Sequence, residues 1–164
     1  MCAGLQKINA KKYKDKRRDA ESAEDRGDLR VVVAAVIERR DRRLLIGQRR
    51  RGDTSPLKWE FPGGKLRDGE TPEAGLAREL QEELGAALHR CREIARVTHR
   101  YADTAEELEI RFFASELADT AIQPTVFEQV AWVLPRDLGD YDFLRANARI
   151  VADLATGRIK PGWD

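Results

Sequence analysis

Residues 64–86 read GKLRDGETPEAGLARELQEELGA, and the punctuation of this stretch organises the rest of the chain. Thr71 is a favoured helix N-cap, Pro72 stands at the first helical position, and Gly85 lies just past the end. Between these marks Leu76, Ala77, Leu80 and Leu84 recur at helical spacing, so the segment predicts an amphipathic helix. Glu79, Glu82 and Glu83 stand at i, i+3 and i+4, within about one-third of the helix circumference. Like charges so spaced repel by roughly 0.2–0.5 kcal/mol per pair, with Arg78 as the neighbouring cation. The acidic cluster borders the apolar face instead of lying opposite it, and Glu70 with the pair Gly63-Gly64 precedes it. One reading is a solvated charged face. The other is a site for a hard divalent cation, which takes several carboxylate or carbonyl oxygens and brings substrate phosphates to its remaining positions.

Upstream, RVVVAAVIE (30–38) is a continuous β-branched and apolar run, the pattern of a strand covered on both faces. RRDRR then turns the chain, LLIGQ (44–48) reads as a hairpin partner, and WEF is a short extended piece ended by Pro62-Gly63-Gly64. Downstream, EIARVTHRY (93–101), EELEIRFFAS (106–115) and QVAWVL (129–134) are strand candidates. A last helix is expected from Ala148 to Thr156, ending at Gly157. Strands on both sides of a helix imply an α/β domain with a mixed sheet between helical layers.

The chain has 164 residues and 18.6 kDa, one domain's worth, able to bury roughly 70% of its unfolded surface. Charged residues reach 36%, yet 30 basic and 29 acidic side chains nearly cancel to a net charge of +1, which removes a simple polyanion-binder reading. No apolar run approaches the roughly 18 residues of a membrane span. The start lacks the apolar core of a secretory signal. Cys2 and Cys91 form no disulfide framework or metal cluster, so a cytoplasmic location is expected. Residues 1–28 are basic, then acidic-mixed, without helical or strand period. They read as a charged extension before a domain over 29–164, a nucleic-acid-binding arm being disfavoured because only Tyr13 could stack there. His89 and His99 read as solvated or hydrogen-bonded side chains.

The segment from Gly64 to Ala86 resembles the Nudix box: Gly, five residues, Glu, seven residues, Arg-Glu, apolar, any, Glu-Glu, any, Gly, apolar. Gly64, Glu70, Arg78, Glu79, Glu82, Glu83 and Gly85 match its fixed positions, with Leu80 at the first apolar site and a small Ala86 at the last. The resemblance implies a Nudix-type α/β/α sandwich with a mixed β-sheet and a catalytic loop–helix–loop. It also implies Mg²⁺, or Mn²⁺, held by Glu79, Glu82 and Glu83 with a backbone carbonyl of Gly63 or Gly64. Arg78 is then expected to orient the glutamates, Glu70 to fix the loop, and Gly64 and Gly85 to shape the ends of the motif.

Similarity to the MutT-like branch extends over about residues 30–155. EFPGGK (60–65) looks like that branch's lead-in, implying substrate contacts at Phe61 and Lys65. LLIGQR places Arg49 where the branch carries a phosphate-binding arginine, although Arg49-Arg50-Arg51 also reads as a solvated basic turn. YDFLRAN (141–147) places Asn147 at the base-recognising asparagine; an N-cap for the last helix is the other reading. Counting back from Trp132 puts Val126 where the branch has an additional catalytic Glu. Glu128 is the nearest carboxylate and the candidate replacement, unless it is only an exposed strand-edge residue. The implied activity is hydrolysis of a (deoxy)nucleoside triphosphate to monophosphate and pyrophosphate, with Glu79, Glu83 or Glu128 as general base. A modified nucleotide such as 8-oxo-dGTP is the expected substrate. Alternatives are CTP or 5-methyl-dCTP, ADP-ribose, a dinucleoside polyphosphate (to which Tyr101 is a faint pointer), or a non-catalytic nucleotide-sensing or nucleic-acid-binding module. A small-molecule partner, neither membrane nor nucleic acid, and a monomer or homodimer complete the expectation.

Overall fold

The computed structural model of the chain describes residues 29–100, 106–119 and 121–163. The extension 1–28, with Cys2 and Tyr13, and also Tyr101, lie outside the described residues. In chain order the elements are β1 (Arg30–Ile37), β2 (Leu44–Gln48), β3 (Trp59–Glu60), β4 (Gly63–Lys65), α1 (Pro72–Leu84), β5 (Leu88–Arg100), β6 (Glu107–Leu117), β7 (Gln129–Val133) and α2 (Ala148–Ala155). Short 3-10 turns at Pro135–Asp140 and Arg145–Asn147 lead into α2.

The strands form two sheets. One is mixed, in the order β4-β1-β6-β5: β1 runs parallel to β6 from Arg30↔Leu108 to Ile37↔Ser115, while β4 and β5 are antiparallel to their neighbours. The other is antiparallel, in the order β3-β2-β7. The turn after β1 forms as expected, but its ladder is a single bridge, Glu38↔Leu44. LLIGQ is therefore not a hairpin partner of β1; it pairs with β3 and β7, because Leu44, Leu45 and Ile46 are all fully buried and need cover that one hairpin cannot give.

The unbroken apolar run of β1 has its reason in the layers. Val33, Ala35 and Ile37 face one core with Leu76, Leu80 and Leu84 of α1 and Phe113 of β6. Ala34 and Val36 face the other with Ile110 and Phe112 of β6 and Ile150, Val151 and Leu154 of α2. The mixed sheet thus lies between two helices. Leu76, Leu80 and Leu84 are 0% exposed, and burying each contributes about 1.5–3 kcal/mol, far more than the repulsion among the glutamates on the same helix. Among the described residues no helix is long and apolar enough to cross a membrane.

Candidate functional site

Thr71 Oγ1 accepts the Ala74 N–H at 3.2 Å and so caps α1, and Gly85, left-handed at φ 62°, ends it with its N–H donated to the Gln81 carbonyl. Docked on the sheet by its leucines, α1 holds Glu79, Glu82 and Glu83 along the edge of the core. Glu79 is buried, at 6% exposure, and the other two are half-buried.

Facing them is β4. The glycine pair that ends the extended piece WEF in the sequence belongs to a strand of its own, with Ala34↔Gly63, Val33↔Gly64 and Val32↔Lys65 in register on β1. A Cβ on Gly63 would stand 2.0 Å from the Val33 carbonyl oxygen. One on Gly64 would stand 2.5 Å from the Glu79 carboxyl carbon, so the missing side chain is the space the carboxylate occupies. The Gly63 N–H donates to Glu83 Oε2 at 3.0 Å, tying the strand to the helix.

Arg78 gathers the loop. Its Nε donates to Glu70 Oε1 at 2.7 Å, Nη2 to Glu70 Oε2 at 2.9 Å and to the Lys65 carbonyl at 3.1 Å, and Nη1 to Glu79 Oε1 at 2.6 Å. Glu82 lies 3.8 Å from Arg78 Nη1 and 3.6 Å from Arg67 Nη2. The Arg78 hydrogen bonds, with help from the Arg67 N–H and against some desolvation, hold the Glu70 carboxyl well below its usual 4.5, at about 2. A carboxyl whose pKa is lower in the folded state stabilises the fold above the unfolded value and loses that contribution as it protonates. The melting temperature should therefore fall between pH 4.5 and about 2 more steeply in the native protein than in Glu70→Gln, and equal slopes in the two thermal-melt series would contradict this role for Glu70.

The donor set suits a hard divalent cation: carboxylates on one helical face, backbone carbonyls of a glycine pair, and a close approach of Glu79 to Gly64 that any side chain there would prevent. Among the described residues these carboxylates are not drawn together into a ligand cluster, because Glu79 is held by Arg78 and Glu83 by the Gly63 N–H.

The remaining expected residues distribute unevenly. Arg49 is no solvated turn: its side chain is 15% exposed, with Nε on the Thr54 carbonyl at 2.7 Å and Nη1 on Glu60 at 3.0 and 3.2 Å. Phe61 is a core residue, edge-on to Phe112 and tilted against Phe143. Lys65 stands exposed on β4. Asn147 precedes α2 at the N-cap position but makes no capping hydrogen bond. The Arg145–Asn147 turn runs into the helix and leaves Asn147 helical (φ −92°, ψ −4°), so the cap reading fails. Glu128 is exposed before β7, with its N–H on the Gln48 carbonyl and Arg51 at 3.9 Å. Two residues make contacts that the sequence does not announce: Glu60, which stands in both WEF and EFPGGK, and Arg50, read only as part of the basic run 49–51, whose guanidinium donates to the Thr125 carbonyl. The pairing Gly47↔Glu60 brings the first to Arg49, and no spacing rule announces it. A groove of about 390 Å³, lined by residues including Glu38, Arg42, Arg136 and Lys160, shares no residue with the glutamate site and lacks its chemistry.

With this geometry in place, the comparisons with known proteins converge. The NUDIX domain model matches residues 28–154. An 8-oxo-dGTP diphosphatase of Proteus vulgaris is 44% identical over 78 residues, which cover 44% of this chain and 64% of that relative. A putative 8-oxo-dGTP diphosphatase 2 of Mycobacterium tuberculosis is 34% identical over 125 residues, 76% of this chain and 87% of the relative. Among solved structures, a MutT NUDIX hydrolase from Burkholderia pseudomallei superposes with a TM-score of 0.63 at 27% identity, covering 77% of this chain and 98% of that one. The box residues, the sandwich that displays them and these matches agree: the chain belongs to the NUDIX domain family, as a Nudix hydrolase of the MutT-like branch.

Proposed function

We propose that the protein hydrolyses a modified (deoxy)nucleoside triphosphate, 8-oxo-dGTP foremost, to the monophosphate and pyrophosphate in a Mg²⁺-dependent reaction, Mn²⁺ being the alternative ion. The observation that carries this reading is the Glu79 carboxylate lying where a Gly64 side chain would be, on the same helical face as Glu82 and Glu83.

Divalent-metal use is general among Nudix hydrolases; here Glu79, Glu82, Glu83 and a carbonyl of Gly63 or Gly64 would hold the ion, which when bound neutralises the triphosphate and acidifies water. Arg78 keeps Glu79 in place and, through Glu70, keeps the preceding loop against the helix. One of Glu79, Glu83 and Glu128 takes the proton of the attacking water. Arg49, braced by Glu60 and Thr54, presents a permanent charge to the phosphates, and Lys65 adds a second. Phe61 supports the base site from the core. Asn147 reads the purine edge, its amide offering a donor and an acceptor and making no bond to the helix end. Nucleotide-pool sanitising in the cytoplasm is the setting this activity suits, with the substrate as the small-molecule partner.

A Mg²⁺-dependent pyrophosphate-release panel over 8-oxo-dGTP, dGTP, CTP, 5-methyl-dCTP and ADP-ribose tests the proposal. Monophosphate and pyrophosphate from 8-oxo-dGTP support it. No turnover of any of these with Mg²⁺ or Mn²⁺ overturns it and returns the non-catalytic module to the front.

A further inference from the structure

The loop after β2 is unusually over-determined. Ser55 and Leu57 are both held left-handed, at φ 52° and 60°, a conformation that side-chain-bearing residues resist and that persists only where the surroundings enforce it. The enforcing bonds are present: Arg49 Nε to the Thr54 carbonyl at 2.7 Å, Gln48 Nε2 to the Leu57 carbonyl at 3.0 Å, and the Arg50 N–H to Asp53 Oδ2 at 3.0 Å. From this rigid loop the Arg50 guanidinium reaches out and donates to the Thr125 carbonyl, 75 positions away in sequence.

Thr125 belongs to the loop before β7, which seats Phe127 in the core and is also hydrogen-bonded at both of its ends. At one end the Gln123 N–H donates at 2.6 Å to the carbonyl of Leu84, the residue after Glu83. At the other the Glu128 N–H donates at 2.9 Å to the carbonyl of Gln48, the residue before Arg49, and Gln129 Nε2 meets Gln48 Oε1 at 2.7 Å. The loop therefore spans from the end of the carboxylate-bearing helix to the braced arginine, and Arg50 pins it midway.

We infer that Arg50 is a positioning residue: it clasps the loop before β7 to the rigid loop after β2, so that the two ends of the site are held at a fixed separation during turnover. This rests on the proposed hydrolase reading. Neither Arg50 nor Thr125 need touch substrate; the contact is to a backbone carbonyl, so it acts on the path of the loop and not on the chemistry of residue 125.

The test uses full-length wild type, R50A and R50K, with two readouts: kcat and KM for 8-oxo-dGTP, and amide hydrogen exchange at Gln123 and Glu128 without substrate. R50A is expected to speed exchange at both amides by about tenfold or more and to lower kcat by about tenfold or more, with the melting temperature unchanged. R50K, which keeps the charge and an N–H donor, should recover part of both. Loss of a mere surface charge would instead raise KM and its salt dependence with wild-type exchange, and that pattern overturns the inference. Faster exchange with a wild-type kcat overturns it too. A wild-type protein without turnover overturns the proposed function, and with it the catalytic half of this inference, whereas wild-type exchange in a fully active R50A variant overturns the inference alone.

Discussion

Glu83→Gln is expected to lower kcat for 8-oxo-dGTP by about 10²–10⁴-fold, equivalent to about 3–5 kcal/mol of barrier, while the protein stays folded. The substitution preserves volume and leaves an amide oxygen able to accept the Gly63 N–H that Glu83 Oε2 now takes at 3.0 Å, so the tie between β4 and α1 survives. What disappears is the negative charge that the proposed reaction would use to hold a cation or to take a proton. Glu82→Gln removes a second charge of the same face and should behave alike. Circular dichroism and a thermal melt, run beside the kinetics, separate lost chemistry from lost fold. Near-normal turnover by a folded Glu83→Gln protein would remove Glu83 from the reaction.

The two glycines of β4 should fail in opposite ways. At Gly64 an added methyl meets the Glu79 carboxyl carbon at 2.5 Å, the far end of a flexible side chain that can swing aside. Gly64→Ala should therefore fold with little loss of stability but displace Glu79 from the place Arg78 holds it, and lower kcat/KM by about 100-fold. At Gly63 the same methyl meets the Val33 carbonyl oxygen at 2.0 Å and Ala34 Cα at 2.8 Å, backbone that cannot swing. Gly63→Ala must break the β1–β4 ladder and should cost about 1–3 kcal/mol or more in urea unfolding. A Gly64→Ala protein with wild-type kcat/KM would show that the position of Glu79 is unimportant.

Much of this fold is legible in the sequence where local rules and tertiary demands coincide. The helix from Pro72 to Leu84 carries its own cap, proline and terminating glycine, and β1 carries an apolar run that only cover on both faces explains. The shared face of Glu79, Glu82 and Glu83 is legible because all three lie on that one helix. Illegible features depend on pairing between distant segments. Gly63 and Gly64 have no side chains with which to signal a strand, and β4 exists because β1 offers an edge. LLIGQ follows a good turn, yet the buried side chains of Leu44, Leu45 and Ile46 commit it to a different sheet. Arg49 stands in a run of three arginines that reads either as a phosphate contact or as a solvated turn, and its brace exists only because β2 and β3 pair and deliver Glu60 to it. Asn147 has the composition of a cap, but the turn before it fixes its backbone in the helical region.

The measurement that bears most directly on the whole account is kcat/KM for 8-oxo-dGTP against dGTP with Mg²⁺. A preference of about 100-fold or more is predicted, since a buried site built to hydrogen-bond one base edge rejects an analogue that leaves its polar groups unpaired. A flat profile, or one led by CTP or 5-methyl-dCTP, would contradict the substrate assignment and take Asn147 out of base recognition.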